Sequence, residues 1–277
     1  MRSLRGPGAF LDSPRTVGYS AGLHLISFVL PTLDEELSSP IASLADYLGA
    51  RSEAFELLVV DDSRGERLEK ARAAVESAVA PPNGRFRFFE GPHAGKGAAV
   101  RRGILESEGD VVFLMDVDLP VPLEFVGTFL QHIADNADGV IAERPTDREF
   151  VTRFRWALSF GLRVFQRALL FHSSRYRDTQ CGFKAFRGPL IREIARQQIV
   201  EGGMYDLEYL YVAGLYKTRI DLVTVRVNSE IRESRINVWK CLRRDPIDVA
   251  RVKLHGLRGA YGDPRSKRTG VVLCDPP

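Results

Sequence analysis

Through its first half the chain alternates strand-length apolar runs with segments of helical period, and that rhythm narrows the folds open to it. LHLISFVL (23–30), FELLVV (55–60), RFRFFE (85–90), DVVFLM (110–115) and DGVIA (138–142) read as strands. After the first, Leu37, Ile41, Leu44 and Leu48 recur at spacings of four, three and four, the repeat of an amphipathic helix. Leu68, Ala71, Val75 and Val79 mark a second helix. GKGAAVRRGILES opens a third after a glycine-rich turn, and Phe125, Val126, Phe129, Leu130 and Ile133 mark a fourth. Most of these runs are continuously apolar, as in strands buried on both faces. The βαβαβαβ order therefore predicts an α/β fold whose single, mostly parallel sheet is covered by helices on both faces.

The second half is less regular. Residues 150–172 mix bulky apolar side chains with Arg153, Arg155, Arg163 and Arg167. Such a helix suits a membrane interface, with arginines at lipid head groups, and equally suits a core-packed amphipathic position. YRDTQCGFKAFRG reads as a polar loop entering a short strand, and GGMYDLEYLYVAGLY as a helix. IDLVTVRVNSE (220–230) reads as a last long strand and PIDVARVKLHGL as a closing helix. No linker separates these pieces, so one domain is expected over 23–257, between a disordered lead-in (1–22) and a loose tail (258–277).

Composition sets outer bounds. A net charge of +3 suits an anionic ligand or membrane surface and is too weak and dispersed for nucleic acid. Cys181, Cys241 and Cys274 form neither a CxxC pair nor a disulfide framework, which points to a reducing, cytoplasmic setting. No run approaches the roughly 18 apolar residues of a membrane span. The expected location is therefore cytoplasmic, with peripheral contact on the inner membrane face as an option.

Ligands of parallel sheets sit at the carboxyl ends of the strands. The polar signals fall there: PTLDEE after the first strand, DDS after the second, HAGKG after the third and DVDL after the fourth. Asp116 and Asp118 stand two apart, so a continuing strand would place both on one face. Two carboxylates so placed repel unless a cation or proton lies between them. Oxygen-only ligands favour Mg²⁺ or Mn²⁺, which complete their shells with substrate phosphates. The plain alternative is a solvated turn. Asp61 and Asp62 suit a base N–H or a ribose hydroxyl, or else a helix cap. GPHAGKGAAV offers backbone N–H groups, Lys96 and a helix N-terminus to phosphate. It is not the Walker pattern, because Gly97 follows Lys96 where Ser or Thr is required.

VLPTLDEE, VVDDS, GKGAAVRRG, MDVDLP, RDTQCGFKAF, MYDLEYLYVA and VNSEIRESRIN follow one another in an order that resembles family 2 glycosyltransferases of the GT-A fold. The likeness covers about residues 24–255 and is strongest to the polyprenyl-phosphate sugar transferases, especially their dolichyl-phosphate glucosyltransferase branch. DTQCGFK is its most specific element. The resemblance implies a single Rossmann-like sheet and a role for each matching position. Pro31, Thr32 and Glu35 would line the nucleotide pocket. Asp61 and Asp62 would hold base and ribose, with Lys96 beside the nucleotide. Asp116 and Asp118 would bind the sugar nucleotide and Mg²⁺ or Mn²⁺. Asp178 and Gln180 would face the donor sugar and acceptor, and Asp206 and Glu208 would form the acidic position near the acceptor. Ser234 and Arg235 would fold over a phosphate. Two departures stand out. Leu33 and Asp34 occupy places where the family often has an aromatic residue and then Asn, and Leu119 and Pro120 replace residues that in relatives help hold the metal.

The implied reaction is inverting, metal-dependent transfer of a hexose, glucose from UDP-glucose, to a polyprenyl phosphate. An anionic phosphate acceptor needs no strong base and would be met by arginines, with Arg144, Arg153, Arg155 and Arg175 as candidates. A soluble hydroxyl acceptor would need a general base, Asp206 first and Asp178 second. A sugar nucleotidyltransferase is a weaker alternative. Its glycine-rich loop follows the first strand directly, and here PTLDEE stands there.

Overall fold

A computed structural model describes residues 24–144, 176, 178–227 and 238–262, with side chains of the last stretch from Arg244 onward. Chain order is β1 (Leu25–Thr32), α1 (Ser38–Gly49), β2 (Ala54–Asp61), α2 (Glu66–Ser77), β3 (Gly84–Glu90), α3 (Lys96–Glu106), β4 (Val111–Leu114), α4 (Phe125–Ala134), β5 (Gly139–Glu143), β6 (Lys184–Arg187), α5 (Gly188–Gln197), α6 (Tyr205–Leu215), β7 (Ile220–Thr224) and α7 (Val238–Leu257). Among the described residues the strands form one seven-stranded sheet in the order β3-β2-β1-β4-β6-β5-β7. β1 to β4 are mutually parallel, and β7 runs parallel to β5. β6 is antiparallel to both its neighbours, β4 and β5. The sheet is mostly parallel and helix-covered, as the apolar rhythm predicts.

Two cores follow from the alternation of side chains along the strands. On one face Phe28, Phe55, Phe113, Phe129 and Phe183 pack with α1, α2 and α4. Phe28 and Phe113 stack with ring centroids 5.0 Å apart, and Phe183 meets Phe129 edge-on at 4.8 Å. On the other face Val29, Leu58, Ile104, Leu114, Leu190 and Tyr209 pack among α3, α5 and α6.

Several boundaries differ from the sequence-based expectation. β1 and β2 run on to Thr32 and Asp61, beyond their apolar runs, because Thr32 Oγ1 donates to Asp61 Oδ2 at 2.6 Å in the buried register pair. α2 stops at Ser77, and Val79 lies 87% exposed beyond it, where the approach to Pro81 and Pro82 disfavours helix. β7 ends at Thr224 rather than 230, with one further bond from Val225 N to Glu143 O at 3.0 Å. α7 starts at Val238, so Pro246 sits inside the helix instead of opening it. Tyr261, in the stretch expected to be a loose tail, is buried and donates to Glu208 at 2.8 Å. The apolar, arginine-bearing segment 150–172 lies outside the described residues, as does Arg175. No described helix is long and apolar enough to cross a membrane.

At the sheet's opposite end Glu56 is fully buried and anchors three strands and a loop. It accepts from Ser27 Oγ at 2.6 Å, Glu108 N at 2.7 Å, Arg85 Nη2 at 2.8 Å and Arg87 Nη1 at 3.0 Å. Burial alone would raise its carboxyl; the Glu108 N–H, Ser27 and the two arginines outweigh it and hold the group below the ordinary glutamate range. A depressed carboxyl contributes stability above its unfolded pKa and loses it as pH falls through the folded value. Glu56→Ala should therefore cost about 3 kcal/mol at neutral pH. The gap between wild type and variant should close as pH drops below about 4.3, the free glutamate value. Denaturant melts at pH 7 and pH 3 check both.

Candidate active site

The carboxyl ends of β1 to β4, the loop entering β6 and the first turn of α6 meet at one edge of the sheet. β4 ends at Leu114, two residues short of Asp116. The shared-face argument for Asp116 and Asp118 therefore does not apply. They sit instead on a tight turn in which Leu119 N donates to Asp116 O at 3.1 Å and Leu119 takes a left-handed φ of 45°. Asp116 is half-buried and Asp118 exposed.

Lys96, the first residue of α3, places its Nζ 2.5 Å from Asp116 Oδ1. Burial opposes charge on both partners, but their mutual attraction wins. The carboxyl of Asp116 is held down and the ammonium of Lys96 held up. The glycines around Lys96 serve close approach. A Cβ on Gly97 would meet Gly202 O at 2.7 Å and Val200 O at 2.8 Å, so α3 begins pressed against the loop before α6. Gly182, in the loop before β6, lies still closer to the site: a Cβ there would fall 1.9 Å from Asp116 Oδ2. Gly182→Ala must push that carboxylate aside. It should lower kcat by on the order of 10²-fold with little change in melting temperature, as read from steady-state kinetics and a thermal melt.

Beneath this pair lies a second one. Lys184, 1% exposed, donates from Nζ to Asp206 Oδ1 and to Cys181 O, both at 2.6 Å. Asp206 is also buried. Burial pushes its carboxyl up and Lys184 draws it back, with Asp116 adding to the rise. Lys184 closes the DTQCGFK element, and no pairing role for it is read from the sequence. A lone lysine between apolar neighbours in GFKAF was the available signal, because a buried ammonium requires a carboxylate partner. Glu208 faces elsewhere: it accepts from Ile199 N, Val200 N and Tyr261 Oη, which makes it a structural brace for the loop before α6.

Arg144 follows β5 and clamps Asp178, with Nε 2.6 Å from Oδ2 and Nη2 3.1 Å from Oδ1. The bidentate bond holds the Arg144 guanidinium firmly protonated, and it outweighs burial to hold the Asp178 carboxyl below its usual range. Gln180 N donates to Asp178 Oδ1 at 3.2 Å, and Gln180 itself is exposed. At the β1–β2 end, Asp61 is fully buried between Thr32 Oγ1 and Ser63 N. Asp62 is half-buried, and its N–H donates to Thr32 O at 2.9 Å. Pro31 and Glu35 are half-buried on the same edge. Ser234 and Arg235 lie outside the described residues.

Asp116 and Asp118 offer only oxygen donors, and no group of three or more acidic, His or Cys side chains positioned for a metal occurs among the described residues. Two carboxylates with one oxygen already beside an ammonium fit a hard divalent ion that shares its shell with diphosphate oxygens and water. They do not make a closed protein cage.

The mostly parallel seven-stranded sheet with one inserted antiparallel strand matches the GT-A fold of glycosyltransferases. Residues 27–195 match the family model for glycosyl transferase family 2, and the chain belongs to that family. It is 26% identical over 254 residues to a dolichyl-phosphate beta-glucosyltransferase of Dictyostelium discoideum, which covers 85% of this chain and 76% of that protein. It is 26% identical over 259 residues to the dolichyl-phosphate beta-glucosyltransferase of Homo sapiens, with 85% and 77% covered. Among solved structures, Mycobacterium tuberculosis glucosyl-3-phosphoglycerate synthase in complex with Mn²⁺, UDP-glucose and phosphoglyceric acid superposes with a TM-score of 0.60 at 17% identity, covering 83% of this chain and 80% of that one. That likeness establishes the shared fold.

Proposed function

We propose that this enzyme transfers a hexose, glucose from UDP-glucose, to a polyprenyl phosphate with inversion at the anomeric carbon. The observation that carries the choice of acceptor is the Lys184–Asp206 pair. Asp206, the best-placed candidate base, is buried and already holds an ammonium at 2.6 Å. Asp178, the second candidate, is bound bidentately by Arg144. Carboxylates so engaged are poor proton acceptors, and an ionised phosphate oxygen needs none. The names of the dolichyl-phosphate relatives support the same reading.

In this reading Pro31, Thr32, Glu35, Asp61 and Asp62 frame the nucleoside. Lys96 moves from Asp116 to the diphosphate, and Asp116 and Asp118 would hold Mg²⁺ or Mn²⁺. That ion supplies Lewis-acid neutralisation of the leaving diphosphate. Arg144 exchanges Asp178 for the acceptor phosphate, Gln180 faces the sugar, and Ser234 and Arg235 would supply phosphate contacts. An acceptor phosphate oxygen attacks C1 from the face opposite the diphosphate. The new C1–O bond forms as the old one breaks, and its electron pair leaves with the diphosphate. Catalysis is then mostly positioning and charge stabilisation. The enzyme would work at a cytoplasmic membrane face, in peripheral contact with lipid.

A hydroxyl acceptor is the second reading, favoured by the upward push that burial gives Asp206. Mass spectrometry separates the two. UDP-glucose, UDP-GlcNAc and GDP-mannose would be offered with Mn²⁺, with and without a short polyprenyl phosphate. A lipid-linked hexose formed from UDP-glucose supports the proposal. Donor hydrolysis with no lipid product rejects the phosphate acceptor and makes Asp206 the residue to test.

A further inference from the structure

We infer that His93 is a positioning residue for the nucleoside end of the donor site, acting through Asp62. The inference rests on the proposed role of Asp62 and adds a residue to which no role has been assigned. His93 lies in the loop between β3 and α3, three residues before Lys96. Its backbone N–H donates to Asp62 Oδ1 at 2.9 Å. Its Nδ1 lies 2.9 Å from the Asp62 carbonyl oxygen. A carbonyl only accepts, so Nδ1 carries the proton and donates. On the ring's other side Nε2 lies 3.4 Å from Oε1 of Glu90, the last residue of β3, a contact that becomes a hydrogen bond only when the ring carries its second proton. The ring is thus tied through Nδ1 to the loop after β2.

His93 takes a left-handed φ of 54° to make both bonds. For an L-residue that conformation costs roughly 1–2 kcal/mol. A residue retained only for loop shape would relieve that cost as glycine. Gly91, two residues earlier, packs just as closely: a Cβ there would fall 2.0 Å from Asp62 Oδ1. Asp62 Oδ1 is therefore fixed by the 91–93 loop, while Oδ2 has no hydrogen-bond partner among the described residues. One carboxylate oxygen is anchored and the other presented, the arrangement expected of a group that must accept from a ribose hydroxyl or a base N–H in a fixed direction. The same loop then runs through Gly95 into Lys96, so His93 also couples the nucleoside contact to the diphosphate contact.

Three variants separate the imidazole from the backbone. His93→Gly keeps the left-handed turn and removes the ring. His93→Asn also tolerates that region and keeps a side-chain donor. The third, Asp62→Ala, removes the positioned group. Calorimetry of UDP binding in the presence of Mn²⁺ should show His93→Gly weakened about tenfold, equivalent to about 1.4 kcal/mol. His93→Asn should be restored to within about threefold of wild type, and the melting temperature of His93→Gly should stay close to that of wild type. In kinetics the donor KM should rise with kcat changing less than about twofold. In an Asp62→Ala background the His93→Gly change should have no further effect, since the two act as a unit. UDP affinity in His93→Gly equal to wild type, or losses at the two sites that add, would overturn the inference while leaving the donor reading intact. A wild-type enzyme that fails to bind UDP at all would instead remove the donor assignment, and this role of His93 with it.

Discussion

Asp118→Ala will lose on the order of 10²–10³-fold in kcat while keeping its fold, because charge developing on the leaving diphosphate loses one of its two proposed carboxylate–metal supports. Asp118 is exposed on the turn after β4, so its removal opens no cavity in the core. The melting curve should superpose on that of wild type. Mn²⁺ titration followed by electron paramagnetic resonance, with UDP present, should show weakened binding in step with the lost rate. Wild-type turnover in this variant would remove the metal assignment at Asp116 and Asp118 together.

The second large effect is on stability. Lys184→Met leaves Asp206 buried without its counter-charge, and breaking one side of a buried pair costs about 3–5 kcal/mol. For a chain of this size that lowers Tm by roughly 6–20 °C. Removing both charges in Lys184→Met/Asp206→Leu should recover most of the loss, since desolvation of both ions disappears as well. The double variant also bears on the acceptor. If Asp206 is only a counter-ion, lipid-phosphate transfer should survive in a refolded, stable double variant at more than about a tenth of the wild-type rate. If Asp206 is a general base for a hydroxyl, transfer should fall by about 10²–10⁴-fold.

Much of this architecture is legible in the chain because its strands are buried on both sides. Continuous apolar runs such as FELLVV leave little choice between strand and loop, and the polar punctuation falls at one end of each run. What the chain does not display is long-range pairing. The antiparallel insertion of β6 between β4 and β5 depends on contacts between residues 70 to 76 positions apart, from Leu114 with Lys184 to Val111 with Arg187. No local period reports such a contact. For the same reason the sequence offers single charged residues and not charge pairs. Lys96, Asp116, Asp178, Arg144 and Asp206 were each visible, yet the partnering of Lys184 with Asp206 and of Arg144 with Asp178 appears only when distant loops close on one edge. Thr32 and Asp61 carried β1 and β2 past their apolar ends through a side-chain bond that hydropathy cannot register.

β6 is four residues long, and among the described residues it alone joins the strands on its two sides. To one side lie β3, β2, β1 and β4, whose ends carry or lead into Asp62, Lys96 and Asp116. To the other lie β5 and β7, with Arg144 at the end of β5. The seam thus divides the molecule along the same line as the proposed chemistry, donor groups on one bank and the acceptor cation on the other. Lys184, at the head of that strand, is the stitch between them. A slip or loosening of these four residues would leave each half-site internally whole and change the distance between the two substrates.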